Sequence, residues 1–333
     1  MRLGLVGCGR IGGVHARSLV ALDRVDELVV TDQHAPAATA LAHDVGARAV
    51  DSVADLLREQ VDGLLICSAT AAHESLVLAA IEHRVPVLCE KPLAVDVAGT
   101  LRVVRAGESS GVPVQVGFQR RFDAGYRRAR ALVEEDALGA VHTVRACTLD
   151  PAPPPEQYIP LSGGIFRDCG VHDFDVIRWV TGREVHSVYA HGSARQHPVF
   201  ATYGDVDTAV ALLELEDGPM CSVSLARQNA AGYDVRLELL GERDSVAVGL
   251  DQRTPLAAVE PGAPRPSEPA WSGFQERFAA AYYAEVAGFL DVVAGTAAPA
   301  CGPQDALEAL YVAEAAQLSL TKGRPVSLAE VRA

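Results

Sequence analysis

Asp168 and His172 stand four residues apart in the stretch Ser162-Gly-Gly-Ile-Phe-Arg-Asp-Cys-Gly-Val-His-Asp-Phe-Asp175. On a helix, that spacing sets both side chains on one face, about one turn apart. A carboxylate beside an imidazole can hold it in one tautomer and support its protonated form, which suits a general base near neutral pH. The same pattern also describes a polar helix face with a capping acid, so the pair needs something to act on. Lys91, in Glu90-Lys91-Pro92, is the other side chain placed for chemistry. It follows an apolar run that reads as a strand. An ammonium at a strand end can hydrogen-bond a hydroxyl and stabilise developing alkoxide charge. With Lys91 and His172 in those roles, no metal is required to polarise or deprotonate the reacting group.

The elements before Lys91 say what such groups would face. Arg2–Val6 is a short apolar strand, followed by Gly7-Cys-Gly-Arg-Ile-Gly12 and an amphipathic helix. Glu27–Thr31 is the next strand, and it ends at Asp32, twenty residues beyond Gly12. A G-x-G-x-x-G in that context marks a dinucleotide site, with the pyrophosphate at the helix N-terminus. A carboxylate at position 32 accepts from ribose hydroxyls and repels a 2′-phosphate, and Gln33-His34 adds no Arg or Lys. NAD is therefore the expected cofactor. Apolar runs at Gly63–Ser68, Pro86–Cys89 and Val112–Gly117 alternate with helical patterns, which means a parallel sheet covered on both faces. Ligands bind such sheets at the carboxyl ends of strands. The expected cofactor residues are thus Gly7, Gly9, Arg10, Ile11, Gly12, Asp32, Gln33, Ser68, Thr70, His73, Glu90 and Gln119.

After Arg121 the alternation stops. Val141–Leu149 is a strand, Asp150-Pro-Ala-Pro-Pro-Pro155 a stiff connector, and Ile165–Thr181 an expected helix. Five further strands with tight turns follow, then a Pro-rich loop and two helices. The expected fold is an α/β Rossmann domain over residues 1–121, with a parallel sheet. An α+β domain over 122–333 follows, built on a large, mostly antiparallel open sheet, and its C-terminal helix could return to the first domain. Few helices are available to cover that sheet, so one face is a candidate subunit interface and a homo-oligomer is expected.

The bulk numbers narrow the partners. The chain has 333 residues, suiting about two domains. A net charge of −14 argues against nucleic acid or an anionic membrane, both of which need a basic footprint. Seven cysteines with no C-x-x-C pair fit a reducing compartment better than a disulfide framework. Nothing reads as a signal peptide or a membrane span, and the expected location is cytoplasmic.

With these pieces in place, nearly the whole chain resembles the NAD(P)-dependent oxidoreductases typified by glucose–fructose oxidoreductase and inositol dehydrogenase. The marks are Gly7–Gly12, Glu90-Lys91-Pro92, and the D-x-x-x-H of Asp168 and His172. Val116–Asp123, Ser162–Asp168 with His172-Asp-Phe-Asp175, Gly204-Asp-Val-Asp-Thr208, Gly232-Tyr-Asp234 and Phe278–Tyr282 point within the family to inositol 2-dehydrogenases. The resemblance implies a catalytic set of Lys91, Asp168 and His172, with Arg120, Asp150 and Tyr233 also at the substrate. It implies oxidation of a secondary hydroxyl of a cyclic polyol, foremost myo-inositol to its 2-ketone. A sugar or aldose dehydrogenase, a glycosidase that oxidises transiently, and a non-catalytic cofactor-binding regulator are the alternatives. Cys169 and Gly170 depart from the bulkier residues expected between the Asp and the His, and Ser68-Ala-Thr70 lacks a usual proline.

Overall fold

Four- and five-residue apolar strands have no polar face to offer water, so their sheet must be covered on both faces. In the computed structural model, which describes residues 1–332, the first half meets that demand. Its strands are β1 (Arg2–Val6), β2 (Glu27–Thr31), β3 (Arg48–Ala49), β4 (Gly63–Ile66), β5 (Val87–Glu90) and β6 (Val114–Gly117). Between them run α1 (Arg10–Val20), α2 (Ala35–Val45), α3 (Val53–Arg58), α4 (Thr70–Glu82) and α5 (Val97–Ser110). The strands form one parallel sheet in the order β3-β2-β1-β4-β5-β6, which is the doubly wound dinucleotide order. The region of α2, β3 and α3 lies between the strands that the apolar pattern picks out. Pro36 sits in the first turn of α2, where a missing N–H costs nothing. The Ser52 hydroxyl caps α3 by accepting the Asp55 N–H.

The second half opens with α6 (Ala124–Glu134), capped by Asp123, and β7 (Val141–Leu149). The helix expected over Ile165–Thr181 is two pieces, a π-helical turn at Phe166–Gly170 and then α7 (Val171–Thr181). The small residue at the end of the widened turn sits in close packing. A Cβ at Gly170 would lie 3.0 Å from both Leu225 and Phe174. Then come β8 (Val185–Ser193), α8 (Val199–Thr202), β9 (Thr208–Leu215), β10 (Met220–Ala226), β11 (Asp234–Gly241) and β12 (Ser245–Val248). The chain finishes with α9 (Phe274–Arg277), α10 (Ala279–Val293), α11 (Pro303–Lys322), β13 (Val326–Ser327) and α12 (Ala329–Arg332). Seven strands pair in the order β12-β11-β7-β10-β9-β8-β13. Only the β7–β10 pair in that sheet is parallel. No helix among the described residues is long and apolar enough to cross a membrane.

The chain divides into two compact units. One comprises Met1–Phe122 with Ala280–Leu307, the other Asp123–Ala279 with the residues from Glu308 on. A simple boundary after residue 121 therefore misplaces Ala280–Leu307. The reason is apolar: α10 sets Val286, Phe289 and Leu290 into the core formed by Leu3, Leu5, Leu28 and Val30.

Candidate active site

In the first unit the expected residues gather at the carboxyl ends of the strands. Gly7 follows β1 with φ +97, and a Cβ on it would lie 2.5 Å from the Cys67 and Ser68 backbone. At Gly12 a Cβ would lie 1.9 Å from the Gly7 carbonyl oxygen. Both positions need glycine for the turn to close on β4. Gly9, by contrast, opens on free space, and α1 begins there with no side-chain cap and no acid in its first turn. Such an N-terminus suits an anion. Arg10 and Gln33 are exposed, while Ile11 packs partly on the core. The Asp32 carboxylate accepts the N–H groups of Cys8 (2.7 Å) and His34 (2.8 Å). These bonds fix its orientation and leave lone pairs for ribose hydroxyls. The turn thus fits NAD, which would lie against Gly7–Gly12 and Asp32.

Lys91 follows β5, and its own N–H donates to Glu90 Oε2 at 3.2 Å. Two residues expected at the cofactor also make hydrogen bonds within the protein. Glu90 is buried, and its Oε1 lies 2.7 Å from His15 Nε2. His73 is buried too, with its ring nitrogens 2.7 Å from the Pro92 carbonyl oxygen and 2.9 Å from that of Ser68. That imidazole braces the loop carrying Lys91 against the loop after β4. Ser68 and Thr70 are half-buried at that loop, and Gln119 and Arg120 are both buried in the short turn after β6.

In the second unit, β7 and β10 run parallel, so their carboxyl ends meet at one end of the sheet. Asp150 follows β7 and Arg227 follows β10, and the Asp150 N–H donates to the Ala226 carbonyl at 2.9 Å. Antiparallel partners bring their starts to the same place: Asp207 ahead of β9, and Tyr233 ahead of β11. Tyr233 itself is buried, bridged to Trp271. The π-helical turn contributes Asp168 and Cys169 to this end. Asp168 Oδ2 accepts from Arg227 at 2.6 Å, and its Oδ1 accepts from the Tyr158 hydroxyl at 3.0 Å. Cys169 Sγ lies 3.1 Å from the Arg227 guanidinium and 3.7 Å from Asp150 Oδ2. The unusual residue at 169 is therefore part of the polar cluster. His172, in the first turn of α7, is half-buried one turn beyond.

Arg227 is the group that motif reading overlooks. It is buried, and a second carboxylate, Asp205, stands 3.7 Å from it. Burial disfavours its charge, but Cys169, Asp168 and Asp205 together outweigh this and hold the guanidinium firmly protonated. Desolvation and the neighbouring Asp168 carboxylate push the Tyr158 phenol well up, so it stays a donor. Asp205 also accepts the Ile165 N–H at 3.0 Å, tying down the entry to the π-helical turn. Asp207 accepts the His197 N–H and the Thr208 hydroxyl. The Gly204–Thr208 stretch is a support for the Asp168 platform.

Comparison with known proteins matches both halves. Residues 1–118 match the oxidoreductase family with NAD-binding Rossmann fold, and residues 126–247 the GFO/IDH/MocA C-terminal domain. The chain is 41% identical over 326 residues to myo-inositol dehydrogenase Hyg17 of Streptomyces leeuwenhoekii, covering 97% of this chain and 98% of that protein. It is 34% identical to the myo-inositol 2-dehydrogenase of Thermotoga maritima, over 99% of each. Among solved structures, scyllo-inositol dehydrogenase from Lactobacillus casei with bound NAD(H) and scyllo-inositol superposes with a TM-score of 0.89 at 27% identity. That match covers 99% of each chain. The chain belongs to the GFO/IDH/MocA family and is an NAD-dependent oxidoreductase of the inositol dehydrogenase group.

Proposed function

We propose that the enzyme oxidises one secondary hydroxyl of a cyclic polyol, foremost myo-inositol to its 2-ketone. The observation that carries this is the polar end of the second sheet, where Asp168, Cys169, Asp150 and Arg227 converge beside the helix bearing His172. A ligand made of hydroxyls on a ring needs many fixed donors and acceptors, and such a site rejects analogues lacking one hydroxyl by large factors. Held by Gly7–Gly12 and Asp32, NAD would supply the hydride acceptor for the carbinol carbon. His172 takes the hydroxyl proton, and Lys91 donates a hydrogen bond to the same oxygen as it gains charge. Asp168 positions His172. Arg120 and Tyr233 complete the proposed substrate contacts.

Relatives named for myo- and scyllo-inositol both resemble the chain over its full length, so a scyllo-inositol preference is the second reading. A panel of inositol isomers, glucose and xylose, followed by NADH absorbance, tests both. Myo-inositol should give the highest kcat/KM. Turnover of sugars alone would overturn the polyol reading, and no net NADH with any of them would point to transient oxidation. With the best substrate, NADP should be the poorer cofactor by at least about tenfold, the effect of little more than 1 kcal/mol of repulsion at Asp32. Comparable kcat/KM values would contradict that role.

The second sheet also carries an apolar outer face. Tyr189, Val210, Leu212 and Met220 on β8, β9 and β10 are exposed, with Tyr189 paired directly to Leu212. We infer that a second copy of the chain covers this face. Sedimentation at micromolar concentration should give a dimer or tetramer, and Leu212→Asp should shift it toward monomer. A wild-type monomer would remove the interface.

A further inference from the structure

Three buried side chains of the first unit converge behind Lys91. His15 on α1, Glu90 ending β5 and Glu285 on α10 each offer a ring nitrogen or carboxylate oxygen within 4.8 Å of the others. His15 and Glu90 are hydrogen-bonded, and Glu90 also accepts the N–H of Lys91. Glu285 is fully buried, and neither of its oxygens meets a hydrogen-bond partner among the described residues. The Gln115 amide holds α10 here only through the Glu285 backbone carbonyl, at 3.4 Å.

Two ionised carboxylates this close cannot both persist in an interior without a balancing cation or proton. The neighbouring thiols and phenol do not supply one. Cys67 and Cys89 are buried thiols held protonated, and the Tyr282 ring stands edge-on to His15 at 5.6 Å. A divalent cation would balance the charge, but a liganding imidazole ordinarily donates its other N–H to a fixed acceptor. His15 Nδ1 has no such partner among the described residues, which counts equally against an imidazolium, since its second N–H would be buried unpaired. A proton is the simpler answer, and it belongs on Glu285, which burial and then the Glu90 charge push well above the usual carboxyl range.

We propose that Glu285 is a positioning residue: it stands as a neutral acid against the Glu90 carboxylate, which is thereby held on His15 and on the backbone of Lys91. The proposal rests on the role given above to Lys91. It links α10 to the loop that carries the ammonium, and α1 to the same loop through His15.

Infrared difference spectra of the wild-type enzyme against Glu285→Gln at neutral pH should show a protonated-carboxyl C=O stretch that the variant lacks. Absence of that band overturns the proposal. So does elemental analysis that finds a stoichiometric divalent cation lost in the same variant. Both readouts are independent of substrate, so failure of the polyol reading would leave them unchanged. In turnover with the best panel substrate, Glu285→Gln keeps a neutral donor and should stay within about twofold of wild-type kcat. Glu285→Ala should lose about ten- to a hundredfold as Lys91 shifts, with the KM for NAD little changed. Equal losses in both variants would overturn the positioning role. Should the alanine variant fail to fold, the glutamine and infrared results decide.

Discussion

Replacing His172 by alanine should lower kcat by about 10²–10⁴ while NAD still binds. That loss corresponds to about 2.7–5.4 kcal/mol of transition-state stabilisation. Oxidising an alcohol requires its proton to leave as the hydride does, and in the proposed site the imidazole is the neutral acceptor. Lys91 cannot replace it, because an ammonium donates hydrogen bonds and accepts none. Asp168 is a poor substitute, since Arg227 and Tyr158 already occupy both of its oxygens. NAD binding should survive because the glycine turn and Asp32 belong to the first unit, which has its own core. Titrating the variant with NADH by fluorescence, alongside steady-state kinetics, separates the two effects. Unchanged turnover would remove His172 from the mechanism. Loss of NADH binding in step with kcat would instead mark a structural role.

Motif reading reaches these residues unevenly, for a physical reason. Gly7–Gly12 and Asp32 are legible because one βαβ unit fixes both, and the glycine demands are local: a Cβ at 12 strikes the carbonyl of residue 7. Lys91 stands out because strand ends in a parallel sheet are where ligands bind. What surrounds each of them is not. Glu90 reads as a cofactor residue by its place beside Lys91, yet its partner His15 lies 75 residues away on the inner face of α1. Glu285 sits on a helix that the chain order assigns to the other domain. Asp168 and His172 suggest a plain helical pair, but the turn between them is widened, and the Asp168 carboxylate is claimed by an arginine 59 residues on. Nothing in the local pattern of Met220–Gln228 distinguishes Arg227 from a strand-end surface charge. Only the parallel register of β10 on β7 carries it beneath the π-helical turn.

That arginine is the subject of the second large effect. Arg227→Ala should destabilise the protein by about 3–5 kcal/mol, the usual cost of removing one partner from a buried ion pair. The guanidinium is buried, and it faces Asp168 at 2.6 Å and Asp205 at 3.7 Å. Without it, two carboxylates are left in a poorly solvated place with like charge opposite like. The second unit should therefore melt earlier, by about 10 °C for a domain of this size. Asp205 also holds the Ile165 N–H, so strain there reaches the start of the π-helical turn and the position of Asp168. Thermal unfolding of the variant gives the first number. Arg227→Ala combined with Asp168→Asn gives the second, since removing one of the stranded charges should recover a part of the loss. A cost below about 1 kcal/mol would mean that the pair behaves as an exposed one does. An additive double variant would mean that Arg227 supports the fold through packing on Phe200 and not through the Asp168 carboxylate.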